Sequence, residues 1–289
     1  MSACTEILVQ RGIRLDTDVL GEGGFGTVWK GENTRTGEDV AIKIVDDDRA
    51  YYHERNILKM VSTHGNHPNV LRFFDDLSPF PCVVTEYLPG KTLFELMCPD
   101  DRADLLSHSR IVNIVTQLTN AVSWVHAKHI IHRDIKLENV MVDENDTVTL
   151  IDFGLASCLR KGESKITHSA VGSQNYVAPE VLQRKCTNNP FACDMFSLGI
   201  CIYALFHGSF PWLTADITCD AYFAFLRHFE KPKDSCAICV LYDVYRFGRE
   251  SRVAENAPAV GRLLEGLLHP CDQKRITITQ LMCYLCDIM

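Results

Sequence analysis

Nowhere does this 289-residue chain approach the roughly 18 consecutive apolar residues that a membrane-crossing helix needs. Its opening residues, MSACTEILVQRG, lack the basic start and long apolar centre of a secretory leader. The expectation is therefore a cytoplasmic or nuclear protein. No Lys/Arg stripe runs along it, so nucleic acid is not expected as a partner. The balance is acidic instead, with 29 Lys and Arg against 37 Asp and Glu and a formal net charge of −8, which is more often a solubility device than a signal for basic partners. Internal repeats and low-complexity stretches are missing as well. A chain of this length with 46% apolar residues is globular and long enough for one large or two modest cores. It stops at its last expected helix, so no regulatory module is expected beyond it, and a monomer is.

Cysteine is not scarce: there are 13. Without a leader, reduced thiols are a simpler expectation than a disulfide scaffold. Two CxxC pairs, Cys236/Cys239 and Cys283/Cys286, have the form of zinc-ligand pairs. Against that, both fall in apolar, helical surroundings where cysteines serve as small buried hydrophobes. The last four residues from Cys286 have a C-a-a-X outline, but Asp287 is not aliphatic and no polybasic run precedes them, so a lipid anchor is not the expected reading.

The first third reads as strands. DVLGEGGFGTVWKGEN and EDVAIKIV are joined by the turn NTRTGE, as in an antiparallel hairpin. A helix is expected around YYHERNILKMVS, followed by the apolar runs VLRFF and CVVTEYL. After Pro89-Gly90 the pattern becomes helical. Ile111, Ile114, Val115, Leu118, Val122 and Val125 have the spacing of a half-buried helix, and CDMFSLGICIYALFHG is apolar almost all round, so it should be buried at the centre. APAVGRLLEGLLHP and ITITQLMCYLC supply two more helices. A β-rich part of about 1–88 and a helical part of about 89–289 imply two lobes with a cleft near residues 86–91, and such clefts are favoured ligand sites.

Gly21-Glu22-Gly23-Gly24-Phe25-Gly26-Thr27-Val28 is a G-x-G-x-x-G-x-V stretch. Its glycines would let backbone N–H groups approach phosphate oxygens. A plain hairpin turn or a dinucleotide fingerprint would also contain such glycines. The fingerprint opens a helix, however, and here Thr27-Val28-Trp29-Lys30 continues into a strand. There is no G-K-[ST] either. What remains is a glycine hairpin lying over a nucleotide. On the next strand Lys43 should face the side opposite Ile42 and Ile44, together with Ala41. Beside the glycine hairpin, it reads as a phosphate-pairing lysine rather than a solvated one.

VAIK, HRDIKLEN, DFG and APE follow in this order, and with them the chain resembles the protein kinase catalytic domain from about Leu15 to Leu285. The resemblance implies an α+β, bilobal fold: a small antiparallel β-sheet N-lobe with one helix and a larger, mainly helical C-lobe, forming a single domain over 1–289. It implies a transferase using ATP and Mg²⁺. In His132-Arg133-Asp134-Ile135-Lys136-Leu137-Glu138-Asn139, Asp134 would orient the attacking hydroxyl, Lys136 would neutralise charge on the transferred group, and Asn139 would hold a metal ion. Asp152 of Asp152-Phe153-Gly154 would hold the metal bridging the phosphates, whose hard oxygen ligands suit magnesium. Glu54 would position Lys43, with Leu58 stacking on Phe153 and His132. Glu86 and Leu88 would meet adenine through their backbone, Val28 and Ala41 would cover the ring, and Thr85 would be the small residue at the back of the pocket.

The same resemblance favours serine or threonine as acceptor. Ile135-Lys136-Leu137 is not the pattern of tyrosine kinases, and Ser173 would bridge Asp134 and Lys136. Arg133 would pair with a phosphate on the activation segment, placed at Ser169 or in reserve at Thr167 by an upstream kinase. Ser157 stands where a basic residue is usual and weakens that pocket. Glu180 should pair with Arg275, and Asp194 should anchor the catalytic loop. Phe196 replaces a frequent tryptophan, and Thr92 replaces a glutamate found in many arginine-directed relatives. Substrates would be proteins. The rival, a pseudokinase scaffold acting through ATP and partner binding, is disfavoured because Lys43, Asp134, Asn139 and Asp152 are all present. A dehydrogenase is excluded by the strand after the glycine loop.

Overall fold

The computed structural model describes residues 2–24, 26–63, 65–98, 106–160, 166–167, 171–229 and 257–288. Phe25, Ser169, Cys236 and Cys239, singled out above, lie outside these residues.

The small lobe is a five-stranded antiparallel sheet in the order β1-β2-β3-β5-β4. Its strands are β1 (Ile13–Gly23), β2 (Gly26–Asn33), β3 (Glu38–Val45), β4 (Phe73–Asp76) and β5 (Cys82–Glu86). Alternation sorts their side chains between the two faces. Val40, Ile42, Cys82 and Val84 join Leu8 and Ile13 in an outer cluster, whereas Val83 and Val45 belong to the main core. Lys43 therefore faces inward, opposite Ile42, as the alternation predicts.

The outer face is covered by α1 (Ser2–Gln10), a helix that the sequence reading left out. Its signal was there: Cys4, Ile7 and Leu8 have i, i+3, i+4 spacing, and all three pack on the sheet. The second helix, α2 (Asp48–Ser62), is capped by Asp47, whose side chain accepts from Ala50 N, and it buries Tyr51, Glu54, Ile57, Leu58 and Val61. The short segment after it ties the lobes together. Leu71 N donates to Leu150 O at 3.0 Å, and Leu150 N donates to Asn69 O at 2.9 Å. This is why only the end of the VLRFF run enters β4.

The large lobe is built on helices α3 (Leu93–Met97), α4 (His108–Ala127), α5 (Pro179–Leu182), α6 (Ala192–His207), α7 (Asp220–Phe229), α8 (Ala257–Leu267) and α9 (Ile278–Ile288). Every residue of α6 from Ala192 to Phe206 is buried, as an all-round apolar helix must be. Short strands β6 (Lys91–Thr92), β8 (Val140–Val142) and β9 (Val148–Leu150) form a three-stranded sheet under the cleft. The pairs β7 (Ile130–Ile131) with β10 (Ser157–Cys158) and β11 (Ile166–Thr167) with β12 (Cys186–Thr187) frame the segment after Asp152. On α9, Leu281 and Leu285 are buried while Cys283 and Cys286 are exposed, so these two are not the buried thiols that the apolar surroundings suggested. Among the described residues no helix is long and apolar enough to cross a membrane, and no cluster of three or more His, Cys, Asp or Glu could hold a metal.

Candidate active site

The upper half of the cleft is a chain of three charges. Lys43 Nζ lies 2.7 Å from Glu54 Oε1 and 3.2 Å from Asp152 Oδ1. Strand β3, helix α2 and the turn after β9 thus converge on one ammonium. Burial works against its charge, but the Asp152 and Glu54 carboxylates outweigh that and hold Lys43 above its ordinary value. Burial also pushes the Glu54 carboxyl up, although Lys43 pulls the other way. For Asp152 the same burial is more than offset by Lys43, and its carboxyl is held below the usual range. The two carboxylates that share the lysine are thus shifted in opposite directions, Glu54 up and Asp152 down. Asp152 has φ 61°, a left-handed conformation rare for a non-glycine residue. Phe153 beside it is fully buried, with its ring 5.0 Å from that of His132.

The lower half centres on Asp134. Its Oδ1 accepts from Ser173 N and Ser173 Oγ, both at 3.1 Å, and its Oδ2 accepts from Asn139 Nδ2 at 2.9 Å and lies 2.8 Å from Lys136 Nζ. Lys136 Nζ also donates to Ser173 Oγ at 3.0 Å. The bridge expected of Ser173 is therefore present. Gly172 makes it possible: φ is 104°, and a Cβ there would stand 2.9 Å from Arg133 O.

The loop carrying Asp134 rests on Asp194, which is fully buried in α6. Asp194 accepts from His132 N, Arg133 N and His126 Nε2, each at 2.8 Å. Burial pushes its carboxyl up, but these bonds, led by that from His126, bring it below its ordinary value. The His126 contact was not foreseen, and only a histidine closing the apolar stripe of α4 hints at it. Tyr176 was missed too. Its hydroxyl donates to Glu138 Oε2 at 2.9 Å and accepts from Leu137 N at 3.3 Å, fastening the loop from the other side.

Asn139 spends its amide hydrogens on Asp134 O and Oδ2. That leaves its Oδ1 without a protein donor among the described residues, as is Oδ2 of Asp152. Ile151 N donates to Asn139 O at 2.9 Å, which brings the two residues side by side. One amide oxygen and one ionised carboxylate oxygen form a hard, partial ligand set, which fits a magnesium ion completed by water and phosphate.

At the top of the cleft, Gly21 pairs with Val28, Glu22 with Thr27 and Gly23 with Gly26, so the glycine stretch is a β1–β2 hairpin. Gly26 is indispensable there: φ is 138°, and a Cβ would fall 2.0 Å from Ile44 O. Val28 and Ala41 are half-buried, Thr85 is buried at the back, and Leu88 beyond β5 makes no backbone hydrogen bond among the described residues. Glu86 N is already used, donating to Arg72 O at 3.0 Å, so at Glu86 only the carbonyl side suits a ligand. Thr92 caps α3 in a capping box with Glu95. Arg133 has φ 67°, and the Ser157 hydroxyl is buried without a hydrogen-bond partner among the described residues. The backbone of Thr167 pairs with Cys186. Arg275, its side chain wholly buried, grips Glu180 through two nitrogens at 2.6 and 3.1 Å and also donates to Ala192 O and His269 O.

The Glu54–Lys43–Asp152 chain and the Asp134 cluster thus share one cleft. The family model described as "Protein kinase domain" matches residues 15–285, and the chain belongs to that family. It is 34% identical over 272 residues to CBL-interacting serine/threonine-protein kinase 8 of Arabidopsis thaliana, covering 91% of this chain and 54% of the relative. It is 32% identical over 223 residues to cell cycle serine/threonine-protein kinase CDC5/MSD2 of Saccharomyces cerevisiae, covering 74% and 31%. To the human hormonally up-regulated neu tumor-associated kinase it is 35% identical over 201 residues, covering 67% and 28%. The chain spans about half the length, or less, of these relatives.

Proposed function

We propose that this protein is a serine/threonine protein kinase that transfers the γ-phosphoryl group of ATP to Ser or Thr hydroxyls of protein substrates. The observation that carries the reading is the Asp134 carboxylate bridged by Ser173 and Lys136, in the same cleft as the Glu54–Lys43–Asp152 chain. Asp134 accepts a hydrogen bond from the substrate hydroxyl and aims its lone pair at phosphorus. Lys136 offsets charge on the group in transit. Lys43, fixed by Glu54, pairs with the donor's phosphates, while the backbone of the Gly21–Val28 hairpin covers them. The backbone at Glu86 and Leu88 meets adenine, between Val28 and Ala41. Asn139 and Asp152 would hold a magnesium ion, which when bound neutralises phosphate charge. Arg133 orders the activation segment, with Ser169 or Thr167 as the candidate position for an upstream kinase.

The test is transfer of labelled phosphate from ATP with Mg²⁺ to a degenerate peptide library, with Asp134→Asn alongside. Label on serine or threonine well above that control is expected. Transfer no greater than the control sinks the enzyme reading, and label on tyrosine sinks the acceptor assignment. The library also yields the substrate motif.

A further inference from the structure

Glu54 has a neighbour that the mechanism above does not use. His53 Nε2 lies 2.7 Å from the carbonyl oxygen of Ala156, two residues beyond Gly154. A carbonyl only accepts, so the imidazole donates, and Nε2 carries the proton. Ala156 is fully buried. Its N–H is spent on Phe153 O at 3.1 Å, and His53 is the sole donor to its carbonyl among the described residues. A buried carbonyl without a donor is costly, so this contact is needed by the segment as well as by the helix.

Successive residues on a helix point about 100° apart. Glu54 therefore reaches β3 while His53 reaches the segment after Asp152, and α2 is held at this level by two different partners. Other contacts fasten the helix elsewhere: Tyr51 Oη in its first turn and Lys59 Nζ in its last bind Asp76 at 3.0 and 2.6 Å, and Lys128 Nζ donates to Thr63 O. Neither of those contacts touches the segment. Beside the Lys43–Asp152 contact and the approach of the Glu54 carboxylate to Gly154, the His53–Ala156 bond relates this level of α2 to the Asp152 region, and it does so without a charge that a nucleotide would compete for.

We propose that His53 is a positioning residue, a clasp that holds α2 against the Ala156 carbonyl and so keeps Glu54 on Lys43. The proposal rests on the kinase reading above and deepens it. Rearrangement of the segment after Asp152 withdraws the acceptor and releases Glu54, and release of α2 exposes the Ala156 carbonyl. Each therefore reports on the other.

The experiment compares His53→Leu, which removes the donor, with His53→Gln, which restores an N–H at similar reach, in the native chain and in a Glu54→Gln background. Loss of one hydrogen bond predicts a fall in kcat/KM for ATP of about three- to tenfold for His53→Leu, largely regained by His53→Gln. In the Glu54→Gln background the further loss should be under about twofold, since partners in one network are not additive. Hydrogen exchange should quicken in residues 48–62 of His53→Leu and not in α4. An unchanged kcat/KM, an equal loss in both backgrounds, or no rescue by glutamine overturns the clasp. If the unaltered chain transfers no phosphate, the kinase reading falls, and exchange in α2 still decides the clasp.

Discussion

Replacing Asp194 by asparagine keeps shape and removes one charge, which makes its cost calculable from three bonds. Oδ2 accepts from both His126 Nε2 and His132 N, and Oδ1 accepts from Arg133 N, all at 2.8 Å. The amide must put its NH₂ at one of these oxygens. Facing His126 and His132 it meets two donors, and facing Arg133 it meets one, so the second orientation wins. That choice loses one charge-assisted bond, about 1.5–3 kcal/mol, and strands the Arg133 N–H, a further 1–3 kcal/mol. The expected destabilisation is about 2.5–6 kcal/mol, read as a lowered urea midpoint at unchanged slope. Arg133 at φ 67° is then no longer held in its strained conformation, so phosphate transfer should fall even in the folded fraction. The folded Asp194 carboxyl is depressed, so its contribution is fully present above the unfolded value of about 3.9 and is lost as pH falls through the lower folded value. The gap between Asp194→Asn and the unaltered chain should therefore be constant near neutrality and close in strong acid. A variant within about 1 kcal/mol of the parent at pH 7 would refute the reasoning.

Lys43→Met leaves Glu54 and Asp152 facing each other without their shared cation, and kcat/KM should drop about a hundredfold or more, while circular dichroism of the folded protein stays unchanged. Gly26→Ala should cost at least about 1–3 kcal/mol of stability, because an L-residue at φ 138° is strained and its Cβ collides with Ile44 O. Gly23→Ala, whose Cβ would meet nothing within 4 Å, should cost under about 1 kcal/mol in the same melts. Glu180→Gln strips the fully buried Arg275 of its counter-ion and should destabilise by about 3–5 kcal/mol in urea titration. A loss below about 1 kcal/mol would show that the carbonyls of Ala192 and His269 suffice for it.

The parts of the fold that were legible in the sequence are those with periodicity or a short, spaced motif. Alternation around Lys43 predicted the face it uses, and the all-round apolar run from Cys193 to Phe206 predicted a central helix. Glu54, Ser173, Glu180, Asp194 and Arg275 were placed by resemblance, and the geometry brings each to its expected partner. What could not be read were partners fixed only by three-dimensional packing. His126 and Tyr176 sit far along the chain from Asp194 and Glu138, and no local spacing marks them. His53 is harder still, since its partner is a backbone carbonyl and carries no residue identity at all. Helix α1 differs again: its i, i+3, i+4 signal at Cys4, Ile7 and Leu8 spans little more than one helical turn.

The two halves of the cleft are not held alike. Asp134 and Asn139 stand on a loop pinned at His132 and Arg133 by the buried Asp194, fastened again by Tyr176 and closed by Ser173. Each anchor is a side chain or backbone group of the large lobe, so nothing in the small lobe needs to move for this half to persist. The Glu54–Lys43–Asp152 chain instead takes one member from β3, one from α2 and one from the turn after β9. Burial pushes the Glu54 carboxyl up, Lys43 pulls it down and Asp152 adds to the upward push, so the Glu54 side of the chain depends on the lysine staying beside it. With members from three separate elements, it is the half that movement of a single element takes apart. Displacing α2 alone would separate Glu54 from Lys43 while leaving the Asp134 half intact.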